Sequence, residues 1–239
     1  MNGLVMTGAT ADEIWPLVRD FHYSRRSAGL VQHAFAWRNP GGLFGETGEP
    51  VAGITYSQPV NRNFPHDSLE LSRLVRRDGF TAPLSAFVAW TLRWLRGNTE
   101  RPFVLSYADT MHGHHGGIYQ ACGFVYIGPS DYRGIIAYRD GNGRVVPSRT
   151  YGKRYGTRAN AVIQRKHPDL EPVYGEPKHL YIFPLRQKWN SISKSNGWQR
   201  LPFPKPSAAR LLDEPAPTGA SEARTLGAAP IHANERTRP

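Results

Sequence analysis

Only one cysteine, Cys122, occurs in the 239 residues, so no intramolecular disulfide can form, and that fits a reducing cytosol. The chain has no apolar run of 18 residues, which leaves no candidate for a membrane-spanning helix. Its N-terminus lacks a signal-peptide core, and a soluble cytoplasmic protein is expected. A Walker A loop and a dinucleotide fingerprint are both missing, so ordinary nucleotide hydrolysis and NAD chemistry lose their usual signatures. There is no internal repeat. Acids are scarce too: 19 Asp and Glu face 30 Lys and Arg, a net charge of +11. That excess favours a polyanionic partner, nucleic acid first and an anionic membrane second.

What remains suffices for a core. The apolar fraction is 39% and six tryptophans are present, enough for one sizeable domain. A strand is expected over residues 4–6. Thr10 and Glu13 then have the capping-box spacing, in which hydroxyl and carboxylate each satisfy a free amide. Ile14, Leu17, Val18 and Phe21 continue at helical spacing, predicting a helix over 11–21. Strands are predicted over 31–37, 51–57 and 69–75, and a helix starts with Thr81-Ala82-Pro83, the proline in its first turn, and ends at Gly97. Phe103, Val104 and Leu105 form a short apolar run suited to a central strand, followed by a polar loop and a short helix closed by Gly123. Residues 124–127 read as another strand, 134–140 and 144–147 as a hairpin, and 178–184 as a last strand closing the sheet. The order predicts an α/β fold with a central mixed sheet flanked by helices. Residues 1–190 form the expected domain. Residues 191–239, rich in Pro and Ala and poor in large apolar side chains, are expected to be a disordered tail.

Chemistry concentrates after the central strand. Ser106, Tyr107 and Asp109 fall at its carboxyl end, where ligand sites of α/β sheets gather. His114 and Tyr119 follow. Asp109 can cap the loop or accept a proton, and Tyr119 can pack in the core or donate one. Met111-His112-Gly113-His114-His115 is rich in histidine, but completes no carboxylate–histidine metal signature. Upstream, His22 and Tyr23 sit at the end of the first helix. A cationic His there can cap the helix, and it can equally face a cleft. Arg25 and Arg26 suit solvent or phosphate. Arg73 shares a face with Leu69 and Leu71 if its strand is regular. It then holds an anion or carboxylate in a polar site, or else the strand bulges and frees it to solvent. The pairing requirement of a buried guanidinium favours the former. Cys122 reads as a small packed residue.

Residues 144–188 carry ten Lys and Arg against three acids, a net of +7. Lys153, Arg154 and Arg158 lie there among Tyr151, Tyr155 and Tyr174. Such a mixture can neutralise phosphates and stack on bases. It also describes a solvated helix whose tyrosines pack inward. The clustering favours DNA contact.

Two resemblances rest on these residues. Tyr119, Gly123 and Phe124 after a strand resemble the last segment of the GNAT acyltransferase fold. The fuller string Ser106-Tyr107-Ala108-Asp109, Gly113-His114 and Gly116-Gly117-Ile118-Tyr119-Gln120-Ala121 resembles the phage Mom family, over about residues 10–186. The resemblance implies a GNAT-like fold and a transferase that converts adenine in DNA to N6-carbamoylmethyladenine, shielding phage DNA from host restriction. The expected partner is double-stranded DNA, in the cytoplasm of a host cell. The implied catalytic set is Asp109, Tyr119, Arg73, Ser106 and His22, with Tyr23, Tyr107 and His114 binding substrate. Arg25, Arg26, Lys153, Arg154 and Arg158 are the expected DNA contacts. The family also implies iron, with His22 and Asp109 the preferred ligands. The carbamoylmethyl donor is not legible in the residues. Acetyl-CoA is doubtful as a cofactor, because residues 76–83 have one glycine and Pro83 where the GNAT pyrophosphate loop needs several amides. Two other readings stay open: an acyl-CoA-dependent N-acyltransferase acting on a small amine, protein or RNA, and a non-catalytic DNA-binding module on a transferase scaffold.

Overall fold

The computed structural model describes residues 4–40, 48–61, 63–130, 134–156 and 159–205. Capping starts the fold: the Thr10 Oγ1 accepts from the Glu13 amide at 3.2 Å, and Glu13 Oε2 accepts from the Thr10 amide at 2.7 Å. This fixes the start of α1 (Ala11–Phe21). Glu13 also receives the Arg38 guanidinium at 2.5 Å, tying α1 to the end of β2 (Val31–Arg38).

Seven strands form the main sheet. They are β1 (Val5–Ala9), β2, β3 (Pro50–Ser57), β4 (Leu69–Arg76), β5 (Phe103–Ala108), β6 (Val125–Pro129) and β10 (His179–Pro184), in the order β1-β2-β3-β4-β5-β10-β6. Every neighbouring pair is antiparallel except β4 and β5. That parallel pair registers only at Leu69↔Val104 and Glu70↔Leu105, so the sheet is split beyond those two positions.

Alternation along the strands gives each face its own core. On one face, Ile14, Leu17 and Val18 of α1 pack against Ala34, Ala36 and Val75. Gly53 lies beneath α1, where a Cβ would come within 2.7 Å of Ile14 Cγ2. On the other face, Phe87, Val88, Leu92 and Leu95 of α2 (Leu84–Asn98) meet Phe35, Trp37, Ile54 and Tyr56. The helix ends one residue beyond Gly97. The short α3 (Gly117–Ala121) adds Ile118 and Tyr119 to this layer, and Gly123 follows it at φ +79°.

A smaller unit hangs from the sheet between β6 and β10. It consists of β7 (Ile135–Arg139), β8 (Val145–Pro147), α4 (Ser148–Tyr155), α5 (Asn160–Lys166) and β9 (Glu171–Tyr174). Its three strands run in the order β8-β7-β9, and Tyr138, Ile163 and Leu170 are its core. The expected hairpin over 134–147 is therefore present, whereas α4 and β9 have no counterpart in the sequence reading.

Two expectations need correction. The boundary at 190/191 falls inside packed structure: α6 (Trp189–Asn196) and the turn after it bury Ile192 to 0% and Trp198 to 8% exposure against Phe64, Phe103 and Ile182. The rest of the expected tail, from residue 206, lies outside the described residues. The second correction is at Arg73. The β3–β4 register slips between Thr55↔Arg73 and Tyr56↔Leu71, so Ser72 is an extra residue in β4. The bulge turns Arg73 away from Leu71 and onto the α1 face.

Candidate active site at the split in the sheet

The gap between β4 and β5 opens where Leu71 and Ser106 part. Ser106 is buried, and its Oγ reaches back to the Leu71 carbonyl at 3.4 Å. From the α2 face, the Tyr119 hydroxyl hydrogen-bonds the Ser106 side chain, while its ring packs on Phe124 and Tyr181. Burial raises the Tyr119 phenol, which therefore keeps its proton at neutral pH. Gly116 makes room for this packing. Its φ is +82°, and a Cβ there would stand 2.4 Å from the Tyr181 ring.

From the α1 face comes a column of rings. His22 is the C-cap of α1 and only 8% exposed. Its Nδ1 accepts the Ser24 amide at 3.1 Å, with the Ser24 hydroxyl 2.9 Å away. A backbone amide can only donate, so neutral His22 carries its proton on Nε2. Burial, with the Arg73 charge second, lowers its pKa to about 4. Tyr23 stacks on His22 at 4.4 Å between centroids and on His112 at 4.1 Å, with His114 edge-on at 5.6 Å. Tyr23 keeps 47% of its surface exposed, yet burial of its hydroxyl end and the nearby Asp109 push the phenol up to about 12. Tyr119 adds to the same shift.

Asp109 holds the loop that supplies the histidines. It is 6% exposed. Its Oδ1 accepts the Met111 amide at 3.2 Å, and its carbonyl accepts the His112 and His114 amides at 3.1 and 3.0 Å. Its Oδ2 lies 2.5 Å from Lys178 Nζ. Thr110 Oγ1 donates to the Pro177 carbonyl at 3.1 Å, a second tie between this loop and the approach to β10.

The sequence-predicted set divides as follows. His22, Tyr23 and His114 meet through their rings, and Asp109 holds the loop that brings His114 there; Ser106 and Tyr119 lie on the α2 side of the sheet. Arg73 donates to backbone carbonyls, and its charge is also felt by the Glu70 carboxyl. Its guanidinium reaches the Arg26 carbonyl at 2.8 Å and the Ser27 carbonyl at 3.2 Å, fastening the loop that follows His22 and Tyr23. Arg25 in that loop has φ +46°, a conformation most side chains avoid. Arg25 and Arg26 are themselves exposed. Tyr107 points with Phe103 and Leu105 to the face opposite Ser106, where burial and then Glu70 push its phenol up to about 12. Cys122 is packed: burial pushes its thiol up to about 11, and Sγ donates to the Ser85 carbonyl.

Sequence reasoning passed over Lys178, Glu70 and His112. Glu70 lies at the last paired position of β4; burial raises its carboxyl, and it accepts the Val60 amide at 3.2 Å. Only the histidine-rich string hinted at His112. Lys178 reaches Asp109 through the β5–β10 pairing, which no local pattern announces.

The expected iron pair does not fit this arrangement. Among the described residues, no three His, Cys, Asp or Glu side chains are grouped to hold an ion. The ammonium of Lys178 sits where a cation would approach Asp109. His22 Nδ1 is engaged by Ser24, and its other nitrogen bears the proton.

In the appended unit Lys153 and Arg154 are exposed on α4, and Arg165 and Lys166 on α5. Arg158 lies outside the described residues. Tyr151 and Tyr155 pack inward around His167. Arg154 and Lys166 cover the Tyr155 ring at 5.7 and 4.7 Å. Tyr174, on the edge strand β9, is 60% exposed. No helix among the described residues is long and apolar enough to cross a membrane.

The family model described as Mom protein family matches residues 4–205. No curated protein matches the chain. Among solved structures it is similar to the ribosomal-protein-S5-alanine acetyltransferase of Vibrio fischeri, at 9% identity and TM-score 0.43 over 77% of this chain and 94% of that one. It is also similar to an N-acetyltransferase of Staphylococcus aureus Mu50, at 10% identity and TM-score 0.41 over 76% and 97%. A Bacillus subtilis acetyltransferase in complex with CoA matches at 11% identity and TM-score 0.41 over 76% and 99%. These likenesses are distant.

Proposed function

The chain belongs to the Mom protein family, and from that premise we propose that it is a transferase that modifies adenine in double-stranded DNA at N6, giving N6-carbamoylmethyladenine. The observation that supports the reading is the clustering of the His22, Tyr23, His112 and His114 rings against the loop that Asp109 holds, directly after the strand that carries Ser106. The exocyclic amine is engaged in base pairing, so the adenine must be extruded to be reached. The Tyr23, His112 and His114 rings offer stacking surfaces for such a base, and Tyr119 offers a protonated phenol. Exposed Arg25, Arg26, Lys153 and Arg154 supply positive charge for the backbone.

In this reading N6 attacks the methylene carbon of an activated carbamoylmethyl donor, and the bond to the leaving group breaks. Tyr119, kept protonated by burial and steered by Ser106, gives its proton to the departing group. Once N6 has attacked, its own proton is acidic enough for Asp109 to take, even beside Lys178. His22 supports the Tyr23 ring and offers Nε2–H. No step is assigned to iron or to CoA.

Mass spectrometry of nucleosides from DNA of cells expressing the protein tests this. The deoxyadenosine pool should gain the mass of one carbamoylmethyl group. Asp109→Ala and Tyr119→Phe should each lower modification by about 100-fold or more while DNA binding persists. An unmodified adenine pool with the wild-type protein rejects the reading, and unchanged modification in both variants rejects the site.

A further inference from the structure

His112 covers the second face of Tyr23, and the manner of covering is informative. One face of Tyr23 is backed by His22 at 4.4 Å and an interplanar angle of 28°, a firm stack on a buried ring. The other face is met by His112 at 4.1 Å but tilted by 39°. His22 is held by Ser24 and the end of α1, whereas His112 belongs to a three-residue turn (Thr110–His112) that ends on Gly113 at φ +69°. The Tyr23 side chain is still 47% exposed despite rings on both sides. A rigid, backed aromatic face with a loosely fitted cover is how a stacking site for a planar ligand is built. The turn that carries His112 starts from Asp109, so a ligand on this face of Tyr23 lies beside the loop that Asp109 holds.

We infer that the Tyr23 face now occupied by His112 is the platform for the extruded purine, and that His112 is a placeholder displaced by it. This rests on the proposed action on adenine and deepens it. His22 acts as the positioning residue that keeps the platform flat, and the His112 side chain rotates off the ring while the backbone of its turn stays held by Asp109.

The test compares two single-stranded oligodeoxynucleotides with the full chain. One carries a single adenine in an otherwise abasic stretch; the other is abasic there as well. The wild-type protein should bind the first about tenfold or more tightly, the usual scale of stacking one base on an aromatic ring. Tyr23→Ala should abolish that preference, and Tyr23→Phe should keep it. His112→Ala should raise it, because the competitor for the ring is gone. Unchanged affinity for the abasic strand shows that the variants are folded. A Tyr23→Ala protein with an undiminished ratio, or a His112→Ala protein whose ratio falls, overturns the inference. The two ideas fail separately. Modified adenine with a ratio indifferent to Tyr23 removes the platform alone, and a Tyr23-dependent ratio without modified adenine removes the transferase reading alone.

Discussion

Arg73 shows how far one extra residue can move a side chain. Without the bulge at Ser72 its guanidinium would lie beside Leu71 in the α2 core. With it, the same group fastens the Arg26 and Ser27 carbonyls and steadies the turn that presents Tyr23. Hydrogen bonds from a charged donor contribute about 1.5–3 kcal/mol each, less where water competes. Arg73→Met should therefore lower stability by about 1–3 kcal/mol in urea denaturation, and it should weaken substrate binding through a looser Tyr23. Full stability with intact activity would show that the loop holds itself.

Among the elements, α1 carries an acid-sensitive contact in its first turn. The Thr10 amide, and then Arg38, hold the Glu13 carboxyl below its usual range. A carboxyl with a depressed folded pKa contributes stability that is complete above its unfolded pKa, 4.5, and is lost as pH falls through the lower folded value. Glu13→Gln keeps an acceptor for the Thr10 amide and loses the charge opposite Arg38, so it should cost about 1 kcal/mol or less at pH 7 and flatten the acid limb of a stability–pH curve. An acid limb identical to that of the wild type would refute this. The helices α4 and α5 are the place to test DNA contact. Lys153→Gln and Arg165→Gln should weaken binding to any duplex, each reducing the slope of log affinity against log salt by about 1. A salt slope unchanged in both would leave their charge to solvent.

Element by element, legibility follows how local the cause is. The first helix was readable to the residue because Thr10 and Glu13 sit at the spacing that capping needs. Most strands of the main sheet were readable because they alternate or run apolar; the first, expected over 4–6, runs on to Ala9 through Thr7 and Gly8, which carry no apolar signal. Helix α4 was not: Ser148–Tyr155 has few apolar residues, and its tyrosines find their core only against Tyr138 and His167. The site was half legible. Its residues up to Tyr119 were visible as a dense polar string, but the bulge that reorients Arg73 and the pairing that delivers Lys178 depend on other strands. Tyr107 was read as part of that string, and the alternation of β5 turns it with Phe103 and Leu105 to the face opposite Ser106.

For the whole molecule, the fold needs more of the chain than the first 190 residues. Ile192 and Trp198 close the core beside Phe103 and Ile182, and the Leu201 amide adds to β6 through the Tyr126 carbonyl at 2.9 Å. A chain ending at Lys205 should melt with the full-length protein, whereas one ending at residue 190 should lose several degrees or fail to fold. Equal melting of the two would make the C-terminal helix dispensable.

Beyond Glu70 and Leu105 the two central strands exchange no rungs. A guest that wedges itself between them therefore has no backbone ladder to unzip, and the sheet is spared the energetic penalty that would otherwise guard its middle. What decides admission is left to the side chains along the crevice and to the width at which the two flanking halves come to rest.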